Sequence, residues 1–501
     1  MSRKKGKKTP RQSGAELQQS SLAALQPLLA PEEYRLLLEE LARPLLPALR
    51  LNPLLLDDPG AALAGWAQRY GWETRPVPFC PNGYWLAAQE QPASATIEHR
   101  LGYFYLQDAA SMLPVELFDL ADLPPEPLAL DMAASPGGKT THLTARLGDR
   151  GLVFANDASR DRLTALKLVL QNWGSLSAAV TAFPGEKFGL WLPETFDAVL
   201  LDAPCSMQGL RATSAHPLRP ITAREQSGLA LRQFRLLESA LRTARVGGQI
   251  VYATCTLTPE EDEAVIDRLL REYPHAAALV DVHPALPAHA PALAQVDDHS
   301  FHPDMPRAVR LLPHHYGTAG FFAARLTKTA PLGEAPERQP PRQAWERSGL
   351  ERLARRGSAD LNQRWEDRYG WSLAELLEEH HWSLWQRGRE LFALPEGYPS
   401  QFGSLPFQAL GLCLAEQHPE GWEPSHACAV RFGRLFRAGI HQLPEEHLAA
   451  WSRGEDAPLD TASASPATLL VVKHPDGYAL GRGRTFPGKL KNMLPRRAVI
   501  W

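Results

Sequence analysis

"LALDMAASPGGKTTHL", residues 128–143, passes from an apolar run into a glycine pair, a lysine and a helical start. The apolar run ending at Asp131 reads as a buried strand, and helical spacing resumes after Gly138. Strand, glycine-bearing turn and helix N-terminus are the opening unit of a nucleotide- or nucleoside-binding sheet. Two kinds of ligand fit the turn. Ala133-x4-Gly138-Lys139-Thr140 permits a loop around a triphosphate. The same glycines, beside a stiffening Pro136, let backbone approach a nucleoside with no phosphate tail.

Downstream the pattern repeats. "GLVFAND", "AAVTAF", "FDAVLLDAP" and "GQIVYATC" are further apolar runs ending in polar residues. Helical stretches separate them. "SRDRLTALKLVLQNWG" (159–174) puts Leu163, Leu166 and Leu170 on one face and stops at Gly174. "TAREQSGLALRQFRLLESALRTARVGG" (222–248) reads as a helix closed by its glycine pair. The alternation predicts a doubly wound α/β domain over 126–328, a parallel sheet with helices on both faces. "RAVRLLPHH" and "GTAGFFAARLTK" predict an antiparallel hairpin at its edge. Ligands of such sheets bind beyond the carboxyl ends of the strands, near the point where strand order reverses. Asp131, Asp157, Asp202, Cys205 and Cys255 all fall at such ends.

That convergence weighs against a triphosphate. Asp157 lies nineteen residues after Gly138, where a carboxylate binds both ribose hydroxyls. Two thiols at neighbouring strand ends have no use in triphosphate hydrolysis, although "AVLLDAP" also suits a magnesium-holding element. An isolated thiol is usually a small buried apolar group; a pair beside a carboxylate suits nucleophilic chemistry. Lys139 approaches the ligand, lowers a thiol's pKa, or is a solvated helix residue. Thr258-Pro259-Glu260-Glu261 reads as an N-cap, first-turn proline and capping-box glutamate, so helix initiation accounts for those acids.

At 501 residues the chain exceeds one ordinary core, so several domains are expected. "LLLEELARPLLPALRLNPLLL" (36–56), within a leucine-rich stretch 21–70 that reads as a small helical bundle, is broken by charge and proline, and no run reaches the ~18 apolar residues of a membrane span. The N-terminus lacks a signal-peptide core, and the five cysteines form neither a disulfide framework nor a zinc spacing. A cytoplasmic protein with no membrane partner and no metal-ligand set is expected. A net charge of −3 exerts no global pull on nucleic acid, so RNA contact requires local patches. "MSRKKGKKTPR" at the start carries six basic residues and no acid: a flexible tail over 1–20, either solubilising or RNA-touching. "GYALGRGRTFPGKLKNMLPRRAVIW" (477–501) interleaves six Lys/Arg with Tyr478 and Phe486, suiting base stacking and phosphate contact, or else a basic surface strand pair.

"DMAASPGGKT", "FDAVLLDAPCS" and "VYATCTLTPEEDEA" resemble the signature blocks of the Nol/Nop/Sun family of RNA cytosine-5 methyltransferases, and "YFYLQDAASMLP" the segment preceding its cofactor loop. "SLWQRGRELFALP", "LPEEHLAAWSRGED" and "GRGRTFPGKLKNMLP" are similar to the C-terminal extension of its bacterial ribosomal RNA branch, the RsmF type. The resemblance implies a Rossmann-like methyltransferase sheet over 126–328, with an N-terminal RNA-recognition domain of helical and mixed character (21–125). "TAPLGEAPERQPPR" (329–342) is itself proline-rich and polar, hence a linker, and the tryptophan-rich helical stretch after it (343–395) reads as a helical connector over 343–399. The resemblance implies a pseudouridine-synthase-like RNA-binding module of mixed α+β structure (400–501). It implies S-adenosylmethionine, held by Ala133, Ala134, Ser135, Pro136, Gly137, Gly138, Lys139, Asp157 and Asp202. It makes Cys255 the nucleophile on cytosine C6, Cys205 the group assisting release, and Asp202 the partner of the ring nitrogen. The substrate would be small-subunit ribosomal RNA or its precursor, and the protein a monomer. Transfer RNA as substrate, a nucleotide hydrolase, and a catalytically silent RNA-binding assembly factor are the alternatives. Three residues depart from the family pattern: Pro184 replaces an aspartate near the adenine, Met207 replaces a glycine after "CS", and Asp262 replaces an asparagine.

Overall fold

The computed structural model describes residues 25–209, 221–288, 290–333, 339–459 and 467–500; the basic tail expected at 1–20 lies outside them. The alternating runs form strands β1 (Leu128–Asp131), β2 (Leu152–Asn156), β3 (Ala178–Thr181), β4 (Phe196–Asp202), β5 (Ala244–Thr254), β6 (Ala277–Val280) and β7 (Phe321–Lys328). Their order is β6-β7-β5-β4-β1-β2-β3, extended by the short strand Ala409–Leu410. Strands β1 to β5 are mutually parallel, and β7 runs antiparallel to both β5 and β6. Strand order therefore reverses between β1 and β4, which opens a crevice at their carboxyl ends.

The apolar runs are continuous because both faces of the sheet are covered. Along β4, Val199 and Leu201 enter one core with Phe234 and Leu237, while Ala198 and Leu200 enter the opposite core with Leu143 and Leu147. Helices α1 (Gly138–Leu147), α2 (Leu163–Trp173), α3 (Ala223–Thr243) and α4 (Glu263–Glu272) supply these covers. Leu163, Leu166 and Leu170 are buried, and α2 ends at Gly174 with φ +76°, as its spacing predicts.

Four expectations need correction. Val309–Leu311 does pair with β7, but β7 lies inside the sheet, between β5 and β6, because its long apolar strand bonds through both rows of backbone groups. The glycine pair Gly247–Gly248 does not close α3: that helix ends at Thr243 and the pair lies within β5. A Cβ on Gly248 would stand 2.8 Å from the Arg245 carbonyl, so the pair serves a close backbone approach. Residues 21–70, expected to be a small helical bundle, contain helices Pro31–Leu41 and Pro59–Tyr70 but also strand Ala48–Leu51, since Pro44 and Pro47 end the helical run. That strand joins Trp72–Pro76, Gly83–Gln89 and Phe104–Leu106 in a four-stranded antiparallel sheet.

The fourth correction concerns 343–399, expected to be a helical connector. Helix Arg355–Tyr369 is present, yet Trp382–Arg387 and Glu390–Pro395 are strands. They join Glu351–Arg352, Cys413–His418 and Gly421–Pro424 in one sheet, so the expected boundary at 399/400 cuts through it. A second five-stranded sheet follows between Ile440 and Asn492. It packs on the N-terminal domain through Tyr478, whose ring meets Tyr103 at 5.2 Å and whose hydroxyl donates to Glu98 at 2.7 Å. Tyr478 is thus a packing residue and presents no stacking face. Arg482 and Arg484 are bonded to Glu416 and Glu423, and among the described residues of that stretch Phe486 is the exposed aromatic. Among the described residues no helix is long and apolar enough to cross a membrane.

Candidate active site

At the β1/β4 crevice lies a cavity of about 420 Å³. Ala133, Ala134, Ser135, Pro136, Gly138, Lys139, Asp202 and Cys255 line it, together with Asp131. The N-terminal domain closes the other side with Tyr105, Leu106, Gln107, Asp108 and Ser111, and β7 contributes Phe321. Apart from Leu106, these N-terminal residues follow from no helical or strand spacing; only the quoted block 103–114 draws attention to them. Arg50, buried, ties the two sides together by donating to Gln107 Oε1 (3.1 Å), Gly138 O (2.9 Å) and Thr141 Oγ1 (2.8 Å).

The turn after β1 is held by its own hydrogen bonds. The Ala134 amide donates to Asn156 O (2.7 Å) and the Ser135 amide to Asp157 Oδ2 (3.3 Å), while Pro136 has no amide to give. Three carboxylates, Asp108, Asp131 and Asp202, face the cavity. A triphosphate would need free amides and positive charge here; the Ala134 and Ser135 amides are engaged, and three acids face the cavity against one lysine. The loop does not suit that ligand. Gly137 has φ +118°, and a Cβ there would press on Val169 at 2.9 Å, so glycine is required for α1 to start against α2. Gly137 and Asp157 do not line the cavity. Asp157 instead accepts from Ser135 and Ser159 and pairs with Arg162 at 3.2 Å.

Asp131 is fully buried, accepts from Thr140 Oγ1 at 2.6 Å, and leaves Oδ1 with no hydrogen-bond partner. Burial pushes its carboxyl up to about 7, and nearby Asp202 adds to the rise. Lys139 is no solvated helix residue: its Nζ donates to Asp202 Oδ2 and to Ser111 Oγ, both at 2.7 Å. Burial opposes the Lys139 charge, but Asp202 and Cys255 outweigh it and raise the ammonium pKa. A fixed cation therefore stands close to the Cys255 thiol.

Cys205 Sγ and Cys255 Sγ lie 3.0 Å apart as free thiols. Folding brings them together because β4 and β5 are adjacent and parallel, with Asp202 opposite Ala253. The hydrogen bond shared with Cys255, reinforced by burial, holds the Cys205 thiol well above the usual range. Of the two, Cys255 lines the cavity.

The loop carrying Cys205 is clamped by a residue whose sequence reading was different. Glu261 does not cap a helix, since α4 starts later, at Glu263. Its fully buried carboxylate accepts from the Ser206 amide (2.9 Å), Gln233 Nε2 (2.9 Å) and Thr258 Oγ1 (3.0 Å). Gln233 Nε2 also donates to Pro204 O at 3.0 Å, so Glu261 and Gln233 grip the chain on both sides of Cys205. No spacing could reveal this, because the partners come from three separate segments.

The departures from the family pattern have local accounts. Met207 adopts φ +58°, a left-handed conformation that explains a glycine there in relatives; its side chain is 46% exposed and does not fill the cavity. At Pro184, the neighbouring Phe183 amide and carbonyl are both bonded to the Asn156 side chain, and the Pro184 carbonyl to the Lys187 amide. Asp262 is buried, accepts from Thr254 Oγ1 at 2.5 Å and faces Arg310 at 3.8 Å, an ionic partner that an asparagine would not need. Burial raises its pKa well above the usual range.

Comparison with known proteins bears on this arrangement. The family described as 16S rRNA methyltransferase RsmB/F matches residues 120–327, and the N-terminal domain of 16S rRNA methyltransferase RsmF matches residues 17–109. Ribosomal RNA small subunit methyltransferase F of Klebsiella pneumoniae is 33% identical over 460 residues, 91% of each chain. The chain belongs to the RsmF family of 16S rRNA methyltransferases. The Erwinia tasmaniensis member is 34% identical over 93% of each chain. A methyltransferase homologue from Pyrococcus horikoshii superposes with a TM-score of 0.52 at 30% identity, covering 62% of this chain and 99% of its own. The P. horikoshii NSun6 structure, at 21% identity and a TM-score of 0.52, shares the fold. RsmF family members are methyltransferases, and the methyl donor is S-adenosylmethionine. The cavity fits such a donor: its volume is that of a small-ligand site, its acids suit a cationic sulfonium, and Asp131 Oδ1 is left unpaired beside it.

Proposed function

We propose that this protein methylates carbon 5 of a cytosine in 16S ribosomal RNA, with Cys255 as the nucleophile. The observation that carries the reading is the pair of free sulfurs 3.0 Å apart at the rim of the cofactor cavity. Cytosine C5 is a poor nucleophile, and a thiolate adding to C6 makes it enamine-like. The Lys139 ammonium, bonded to Asp202, stands close to Cys255, and a cation beside a cysteine suits nucleophilic chemistry. Asp202 meets the N3 edge of the base as the C6–S bond forms. S-adenosylmethionine, when bound, supplies an electrophilic methyl group.

Bond formation at Cys255 also removes the hydrogen-bond partner that raises the Cys205 pKa, so Cys205 can release its proton to solvent water and, as thiolate, accept the one leaving C5. Departure of that proton restores the C5=C6 bond and expels the Cys255 thiolate. Ala133, Ala134, Ser135, Pro136, Gly138 and Lys139 hold the cofactor with Asp131 and Asp202, and Gly137 shapes the turn behind them. In this reading Asp157, which lies behind the turn and outside the cavity lining, takes the ribose hydroxyls when its 56% exposed partner Arg162 swings into solvent. The target base must be single-stranded or flipped to reach Cys255.

The test is bisulfite mapping of 16S rRNA from cells with and without the protein. A cytosine protected only when the protein is present is the expected result; full conversion in both removes the assignment. A second measurement addresses Glu261. Glu261→Gln loosens the Cys205 loop, and methyl transfer is expected to fall by about 100-fold with cofactor affinity unchanged, checked by single-turnover kinetics and calorimetric titration.

A further inference from the structure

Away from the cofactor cavity, a cluster of metal-ligating side chains has no role in the chemistry above. His314 and His315 sit on the turn Pro313–Tyr316, and Glu33 begins the helix Pro31–Leu41 packed against it. Glu33 Oε1 is 3.6 Å from His314 Nε2 and 3.5 Å from His315 Nε2. One donor atom from each residue lies within 4.8 Å of the others. These separations are too long for good hydrogen bonds. They are close to the ~3.4 Å between neighbouring donors of a tetrahedral zinc ion with bonds of ~2.0–2.1 Å.

The second observation is His314 itself. Its side chain is 5% exposed, yet neither ring nitrogen has a hydrogen-bond partner. A buried imidazole with both nitrogens unsatisfied is unusual, and a cation shared with Glu33 and His315 would satisfy Nε2. Glu40, two turns along the same helix, adds negative potential at His314. Another trio, Cys80, Glu116 and His142, meets the same distance limit but differs in kind. There His142 Nε2 is hydrogen-bonded to Glu116 at 2.9 Å, Arg146 pairs with Glu116 at 3.2 Å, and the Arg50 cation bears on His142. Two guanidinium groups already neutralise that cluster.

We propose that Glu33, His314 and His315 bind one divalent transition-metal ion of the zinc class, with water completing the coordination. The ion clips helix Pro31–Leu41 to the methyltransferase domain above an apolar contact of Leu25, Leu37, Leu257 and Leu312. Leu257 lies two residues beyond Cys255, and its carbonyl accepts from Arg310 at 2.8 Å. The ion therefore braces the support of the nucleophile loop and touches no reacting atom.

Full-length protein stripped by chelation is titrated with cobalt(II), and separately with zinc. One cobalt ion per chain is expected, with a visible spectrum of nitrogen and oxygen ligands and no thiolate charge-transfer band. Saturating zinc is expected to raise Tm by about 2 °C. Glu33→Gln and His315→Ala, both at partly exposed positions, should each weaken cobalt binding at least about tenfold while circular dichroism stays unchanged. Cys255→Ser should retain the ion. Undiminished binding in Glu33→Gln and His315→Ala, loss of the ion in Cys255→Ser, or no uptake by the wild type at roughly 100 μM cobalt would each overturn the proposal.

Discussion

Cys255→Ala lowers methyl transfer by about four orders of magnitude or more while RNA and cofactor still bind. Among the described residues that line the cavity, this sulfur is the only group able to add to C6 as a soft nucleophile. Cys205 lies 3.0 Å away but is held protonated by burial and by its hydrogen bond to the very sulfur that would be lost. The alanine is smaller than the thiol and sits at a half-buried position, so the cavity is spared. Tritium transfer from labelled cofactor to 16S rRNA measures the rate, and filter binding measures RNA affinity. Wild-type turnover in this variant would refute the nucleophile assignment.

Cys205→Ala has a different signature. Attack by Cys255 and methylation still proceed, but the proton on C5 has lost its acceptor, so the C6–S bond is not released. A covalent protein–RNA adduct accumulates, visible as a slow band on a denaturing gel after incubation with cofactor and RNA, and multiple turnover stops. Glu261 supports this reading, because its grip on Ser206 and Gln233 places the Cys205 sulfur and little else. If Cys205→Ala turns over normally and Cys255→Ala forms the adduct, the two roles are exchanged. A double variant forming no adduct completes the comparison.

The central sheet was legible because parallel strands covered on both faces must be apolar throughout, and three of the five runs end at Asp131, Asp202 and Cys255, which line the cavity. Cys205 and Cys255 could be brought together on paper from strand adjacency alone. Strand β7 was misplaced because its apolar run is the same whether one or both rows of its backbone groups are bonded. The segment 343–399 was misjudged because its tryptophans bury equally well from a helix or a strand: Trp365 lies on a helix, whereas Trp382 and Trp385 lie on strands. Tyr478 has the composition of a base-stacking residue and the position of a core one.

Local chain chemistry, namely the turn at Gly137, the strand ends and the two cysteines, pointed to a nucleoside-type ligand beyond the sheet, while the methyl donor and the reaction were implied by the family resemblance. Such features depend on neighbours within a few residues, where covalent geometry and periodicity leave few choices. Contacts between distant segments were decided by the packed fold alone. Glu261 reaches Ser206 and Gln233, Arg50 reaches Gly138, and Glu33 meets His314 and His315, in each case across intervening domains or helices. Those pairings are set by how layers dock and which buried polar atoms are left needing a partner, and that requirement does not exist until the chain has closed around them.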